Sequence, residues 1–288
     1  MLTRARYCAK LWSTVNNNAG SDRKGLLGLN MLRRVRPLWL REKLYFHSAA
    51  RTRWPFGVES ISLEMAPVTL RHFTKSDLMH RQIAWLGFYE LPLSRRIKEL
   101  ATEGGLLVDV GANIGYYSCM WAGLRADNKV YAFEPSPRVF RMLYSNIHAA
   151  GLDSRVRAFA SALGKEKGMV QFDPGPDDQS GWGGITKECG EGTISVESNR
   201  LDEVLPEGLI IDTLKIDTEG ADTEVLFGAE RILRERRVRR IFFEVNAPRM
   251  RVLGIQPTDV MNFLSKYDYK VTPFHGNAES GEYMAEPA

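Results

Sequence analysis

Cysteine is scarce in this chain of 288 residues: only Cys8, Cys119 and Cys189, odd in number and widely spaced. No disulfide framework and no CxxC metal or redox site can be built from them. The set suits a reducing compartment, so a cytoplasmic location is expected, with organelle targeting by the N-terminus as the alternative. Long apolar runs are missing as well, and nothing approaches the ~18 residues that cross a bilayer. His72, His80, His148 and His275 show no H-x-x-x-H or H-x-x-E spacing, so they read as surface or packing histidines; the acids at 217–224 could serve a hard cation, but no second acidic cluster has diagnostic spacing, so no metal site is expected. There is no serine nucleophile elbow, and no G-x-x-x-x-G-K-[ST] loop for a nucleoside triphosphate. What is present is a globular balance, 44% apolar and 26% charged, which excludes a disordered or low-complexity chain.

The formal charge of +4 conceals two kinds of sequence. Residues 1–60 hold 12 Lys/Arg and 3 Asp/Glu, whereas the remaining 228 residues hold 27 and 32, so +9 precedes −5. A basic N-terminal extension over 1–60 and a single domain over 61–288 are therefore expected. The extension could meet a membrane surface, nucleic acid or an acidic partner, or remain a solvated arm. Arg4, Arg6 and Lys10, with no acid in the first 20 residues, resemble a transit peptide. Residues 16–21 read as a linker, and residues 26–46 as a basic, partly amphipathic helix broken at Pro37.

Beyond residue 60 the texture changes. Residues 76–101 look helical, with a stop at Gly104-Gly105. Short apolar strands then alternate with helices. The strands are Leu106–Val110, Val130–Phe133, Val156–Ala162, Leu209–Ile216, Arg240–Val245 and Tyr269–Thr272. The helices are Tyr116–Leu124, Pro137–Ala150, Ala221–Arg234 and Asp259–Ser265. This alternation predicts an α/β fold with a parallel sheet covered on both faces. Residues 173–192 read as a long loop, with Trp182 as either a substrate platform or a pin for the loop.

The most informative stretch is Asp109-Val110-Gly111-Ala112-Asn113-Ile114-Gly115, between a predicted strand and a predicted helix. Glycines there allow a sharp turn and close approach of a ligand to the main chain. Glu134 ends the next strand, where an acid can accept hydrogen bonds from both ribose hydroxyls. A dinucleotide fingerprint needs G-x-G-x-x-G, and here Asn113 replaces the middle glycine. Asp109 at the start of the motif disfavours phosphate and suits a cationic ligand. A nucleoside with positive charge and no phosphate fits, and S-adenosylmethionine is such a molecule.

These segments, with Ala132-Phe133-Glu134-Pro135-Ser136-Pro137, Leu214-Lys215-Ile216-Asp217-Thr218-Glu219-Gly220-Ala221, Phe242-Phe243-Glu244 and Gly87-Phe88-Tyr89-Glu90, resemble the FkbM-type S-adenosylmethionine-dependent methyltransferases, a branch of the class I, Rossmann-like enzymes. The resemblance covers roughly residues 85–270. It implies a seven-stranded, mostly parallel sheet with its last strand antiparallel. It also implies that Asp109, Gly111, Asn113 and Gly115 hold the methionine part of the cofactor and Glu134 the ribose, with Pro135 shaping the turn. Ser161 and Ala162 would line the adenine, and Glu90 would close the site.

Methyl transfer to a hydroxyl needs alignment and removal of a proton. Asp217, at the end of a buried strand, is the expected neighbour of both cofactor and substrate, as orienter of the methionine amine or as base. Glu219 and Glu244 are the further candidates for base or substrate contact. Acids near a helix start are also favoured by the helix dipole, which is reason enough for Asp222 and Glu224. Cys119 reads as core, and of Tyr116 and Tyr117 one is expected to face the site and the other the core. The expected activity is O-methylation of a sugar, glycan, polyketide or related small molecule. The rivals are an RNA-directed protein recruited by the basic N-terminus, disfavoured by the acidic body, and a silent scaffold.

Overall fold

The computed structural model describes residues 29–49, 54–55, 57–188, 190, 192–276 and 280–288. The transit-like segment, the linker at 16–21, Cys8 and Cys189 lie outside the described residues. Seven strands form the central sheet: β1 (Leu106–Val110), β2 (Lys129–Phe133), β3 (Val156–Phe159), β4 (Thr213–Ile216), β5 (Ile241–Asn246), β6 (Tyr269–Gly276) and β7 (Ser280–Pro287). Their order is β6-β7-β5-β4-β1-β2-β3, parallel from β5 through β3, with β7 antiparallel to both neighbours. The Rossmann-like α/β architecture expected from the sequence is present.

The sheet forms because its strands carry apolar residues on both faces. Along β1, Leu107 joins one core, while Leu106, Val108 and Val110 join the other. Four helices supply much of the first core: α1 (Leu78–Leu86), α2 (Leu91–Glu103), α3 (Tyr116–Leu124) and α4 (Pro137–Ala149). The second core is covered by Asp222–Phe227, Glu230–Arg234 and Pro257–Lys266. Side chains alternate along a strand, so a five-residue strand buried throughout must be sandwiched.

Several elements differ from the sequence reading. The helix expected over 76–101 is two helices, separated where Gly87 and Glu90 take positive φ. Sheet pairing of the third strand stops at Phe159. Ala162–Leu163 instead joins a second sheet with Gly168–Asp173, Gly184–Thr186 and Ile194–Asn199. That sheet takes up part of the expected 173–192 loop. The helix expected over 221–234 is broken at Gly228, whose Cβ position would meet the Gly164 carbonyl oxygen at 2.0 Å. β7 and the helix Ala247–Leu253 were not read from the sequence.

The described part of the basic extension packs on the body. Leu29, Leu32 and Tyr45 belong to the first core, and the helix breaks at Pro37 as expected. The change of charge near residue 60 is therefore not a change of packing. Among the described residues, no helix is long and apolar enough to cross a membrane.

Candidate functional site

In an open α/β sheet, ligands gather beyond the carboxyl ends of the strands, where the strand order reverses. Here the chain lays β2 and β3 to one side of β1, then β4 and β5 to the other. A cleft opens at that place, with about 870 Å³ of empty space including its mouth.

The glycine turn after β1 forms its floor. Gly111, Asn113 and Gly115 all have positive φ, 75°, 50° and 87°. Asparagine is the side chain other than glycine that tolerates this region best, so Asn113 meets the turn's demand as a third glycine would. Gly111 and Ala112 donate their N–H groups to the Phe133 carbonyl, and the Asp217 N–H bonds the Val110 carbonyl. The ends of β2, β1 and β4 are thereby stitched together.

Glu134 lines the cleft while remaining 6% exposed. Its two carboxylate oxygens accept from the Asn113 N–H at 3.0 Å and the Ser136 N–H at 2.8 Å. A carboxylate has about four lone-pair sites, so acceptor capacity remains for a vicinal diol. Burial pushes its pKa up to about 7, against the opposing pull of those two donors and of Lys215.

Lys215 was quoted within the fourth-strand motif but given no role by the sequence reading. Its ammonium is 3.3 Å from Asp109 Oδ1 and 3.6 Å from Asp217 Oδ2, and it lines the cleft. Burial works to lower its pKa, but Asp109 and then Asp217 hold it above the ordinary value, so the cation is firm. A signal was available: residues two apart on a strand share a face, so Lys215 had to point with Asp217. Asp109 is fully buried, accepting a hydrogen bond from Ser118 at 2.7 Å, and does not line the cleft. Its carboxylate lies against the Lys215 ammonium.

Of the expected residues, Gly111, Asn113, Glu134, Pro135, Ser161, Ala162, Asp217 and Glu219 share this cleft. Gly115 sits behind its wall, where a Cβ would meet Leu143 Cδ1 at 2.8 Å. Glu90 and Glu244 line a smaller neighbouring cavity, of which Lys215 and Asp217 form the dividing wall. Tyr117 donates to Glu90 at 3.0 Å, and the Tyr116 and Ser94 hydroxyls are 2.9 Å apart. Both tyrosines line the cleft, so the expected division between site and core does not occur. Cys119 is buried, its thiol pushed up to about 12 by burial and then by Asp109, which suits core packing and not nucleophilic attack.

Asp222 is a positioning residue. It accepts from the Thr218 N–H and hydroxyl and from the Glu244 N–H, tying the turn after β4 to β5. The carboxylates of Asp217, Glu219 and Glu244 come within 4.8 Å of one another, a spacing that could hold a hard cation. Lys215 beside Asp217 and Arg249 at 3.5 Å from Glu219 already supply counter-charge.

His80 also has a place the sequence did not reveal. Thr74 N–H donates to its Nδ1, which leaves the proton on Nε2, 3.4 Å from both Asn113 Oδ1 and Ser180 Oγ. Burial lowers its pKa and keeps it neutral. Asp77 accepts from the His80 and Ser180 N–H groups, so the loop carrying Ser180 is fixed over the cleft. Trp182 is exposed and does not line the cleft; its carbonyl accepts from Arg249 at 3.0 Å.

The model of the Methyltransferase FkbM domain matches residues 109–271. The hexuronic acid methyltransferase AglP of Haloferax volcanii is 30% identical over 179 residues, 62% of this chain and 68% of that protein. The 2-O-methyltransferase NoeI of Sinorhizobium fredii is 28% identical over 185 residues, 58% of this chain and 70% of that one. A crystal structure of methyltransferase FkbM from Methylobacillus flagellatus aligns with TM-score 0.46 and 16% identity, covering 73% of this chain and 53% of its own.

Proposed function

Because the chain belongs to the FkbM methyltransferase family, we propose that it moves a methyl group from S-adenosylmethionine to a hydroxyl of a sugar or glycan. The observation that carries the reading is the Glu134 carboxylate, buried, held by two backbone donors and still facing the cleft. Its remaining acceptor sites fit the two hydroxyls of a ribose. The acids around the cleft fit a cationic, phosphate-free nucleoside, and Gly111 leaves the main chain bare. The sugar acceptor comes from the two relatives, whose names specify a hexuronic acid and a 2-O position.

When bound, the cofactor supplies an electrophilic methyl group. The chain's own residues do the rest. Glu134 accepts from the ribose hydroxyls, and Ser161 and Ala162 flank the base. Asp217, steadied by Lys215, orients the methionine end and faces the reacting centre. With Asp217 so engaged, the hydroxyl proton passes during attack to Glu219 on the same wall or to Glu244 in the adjoining cavity. The loop pinned through Ser180 limits water at the reacting atoms, and alignment of two partners supplies up to ~7–11 kcal/mol of barrier reduction.

The test is product mass spectrometry after incubation with S-adenosylmethionine and a panel of neutral sugars, amino sugars, uronic acids, RNA and hydroxylated lipids. One sugar class is expected to gain a methylene mass, with S-adenosylhomocysteine formed in equal amount. Modification of RNA or lipid alone would overturn the acceptor class.

A further inference from the structure

We propose that the N-terminal helix pair, residues 29–34 and Leu38–Leu44, is a docking surface for an anionic membrane. The pair is amphipathic, with two well-separated sides. In the first helix Leu29 and Leu32 are buried, while Met31 and Arg34 are exposed. In the second, Arg41 is buried and Leu38 packs against the core, while Trp39 and Lys43, one turn apart, are exposed. Met31 is 70% exposed, Trp39 54% and Leu44 40%; they are three of the eight large apolar side chains exposed among the described residues.

The inward side is fastened by charge. Arg41 donates to Glu64 and to the Leu86 carbonyl, both at 2.8 Å, and Arg33 donates to the Ala84 carbonyl at 2.8 Å. These carbonyls lie at the C-terminal end of α1, where arginine is favoured by the helix dipole. The N-terminal end of the same helix holds Ser180 over the cleft through Asp77. The surface is therefore fixed to the body that carries the site.

Charge complementarity selects the occupant. On the outward side of the pair Arg34 and Lys43 are exposed cations, while the body from residue 61 carries −5. Phosphate groups would satisfy the bases but leave Met31 and Trp39 in water. An anionic lipid interface satisfies both, since tryptophan favours the headgroup level and basic residues the lipid charge.

The test is co-sedimentation of the full chain with phosphatidylcholine vesicles, with and without about 30% phosphatidylserine, at low and at raised salt. Binding is expected on the anionic vesicles, about tenfold weaker on the neutral ones and weaker in salt. Met31→Ser/Trp39→Ser should lose about tenfold, and Arg34→Glu/Lys43→Glu should erase the anionic preference. Met169→Ser, which removes an exposed methionine of the second sheet, should bind like the parent. Unchanged S-adenosylhomocysteine affinity certifies that each variant is folded. Equal or absent binding on the two vesicle types, or parent-like binding by both double variants, overturns the proposal. So does binding that only deletion of residues 1–28 removes.

Discussion

Glu134→Ala is expected to weaken S-adenosylhomocysteine binding about 100-fold in a calorimetric titration. A hydrogen bond to a charged group contributes about 1.5–3 kcal/mol, and losing two of them corresponds to that factor or more. The fold should change far less, because two effects oppose. The Asn113 and Ser136 N–H groups lose their acceptor, at about 1–3 kcal/mol each where water cannot replace it. Against that, a buried carboxyl whose pKa stands at about 7 instead of 4.5 no longer has to ionise, a relief of a few kcal/mol. The sign gives a second readout. A carboxyl raised on folding contributes stability that is fully present below about pH 4.5 and lost as pH rises through about 7. Cofactor affinity runs the other way, since the ionised form is the better acceptor. It should rise about tenfold from pH 6 to 8 in the parent, and that rise should vanish in Glu134→Ala. An alanine variant that binds as tightly as the parent would remove Glu134 from the site.

Gly111→Ala should abolish measurable cofactor binding and lower stability by roughly 3 kcal/mol, through backbone strain plus a forced displacement. A Cβ at this position would lie 1.9 Å from the Asp217 carbonyl oxygen, and φ is +75°. Backbone on backbone leaves no flexible neighbour to give way, so the ends of β1 and β4 must part. Gly181 gives the contrast. It also lines the cleft, but its Cβ position has no atom within 4 Å and its φ is not in the left-handed region. Gly181→Ala should keep the parent's melting temperature and its S-adenosylhomocysteine affinity within about threefold. Equal behaviour of the two variants would mean that the glycine turn does not shape the cleft.

The parts of the fold that were legible in the sequence are those set by local pattern. Apolar β1, β2 and β4, with Gly- or Pro-containing turns behind them, read as strands of a covered sheet, and the acids at their ends had to gather at one rim. Glu134 and Asp217 were found this way. Boundaries set by tertiary contact were hidden. The helix break falls at Gly228, where the Gly164 carbonyl leaves no room for a side chain, and nothing near Gly228 announces Gly164. Residues Ser280–Pro287 have little β propensity among Ser, Gly, Glu and Pro, and form β7 because β5 offers an edge to pair with. Asp109 was legible as important, but its ion pair was not, because Lys215 is 106 residues away and faces it only across paired strands. His80 was likewise hidden, since its partner Ser180 lies on the distant loop.

The most direct measurement is a crystal structure with S-adenosylhomocysteine. The ribose hydroxyls should lie within hydrogen-bonding distance of the Glu134 carboxylate, with the sulfur on the side of Asp217. A nucleoside bound away from this cleft, or a Glu134 turned from it, would contradict the assignment of the site.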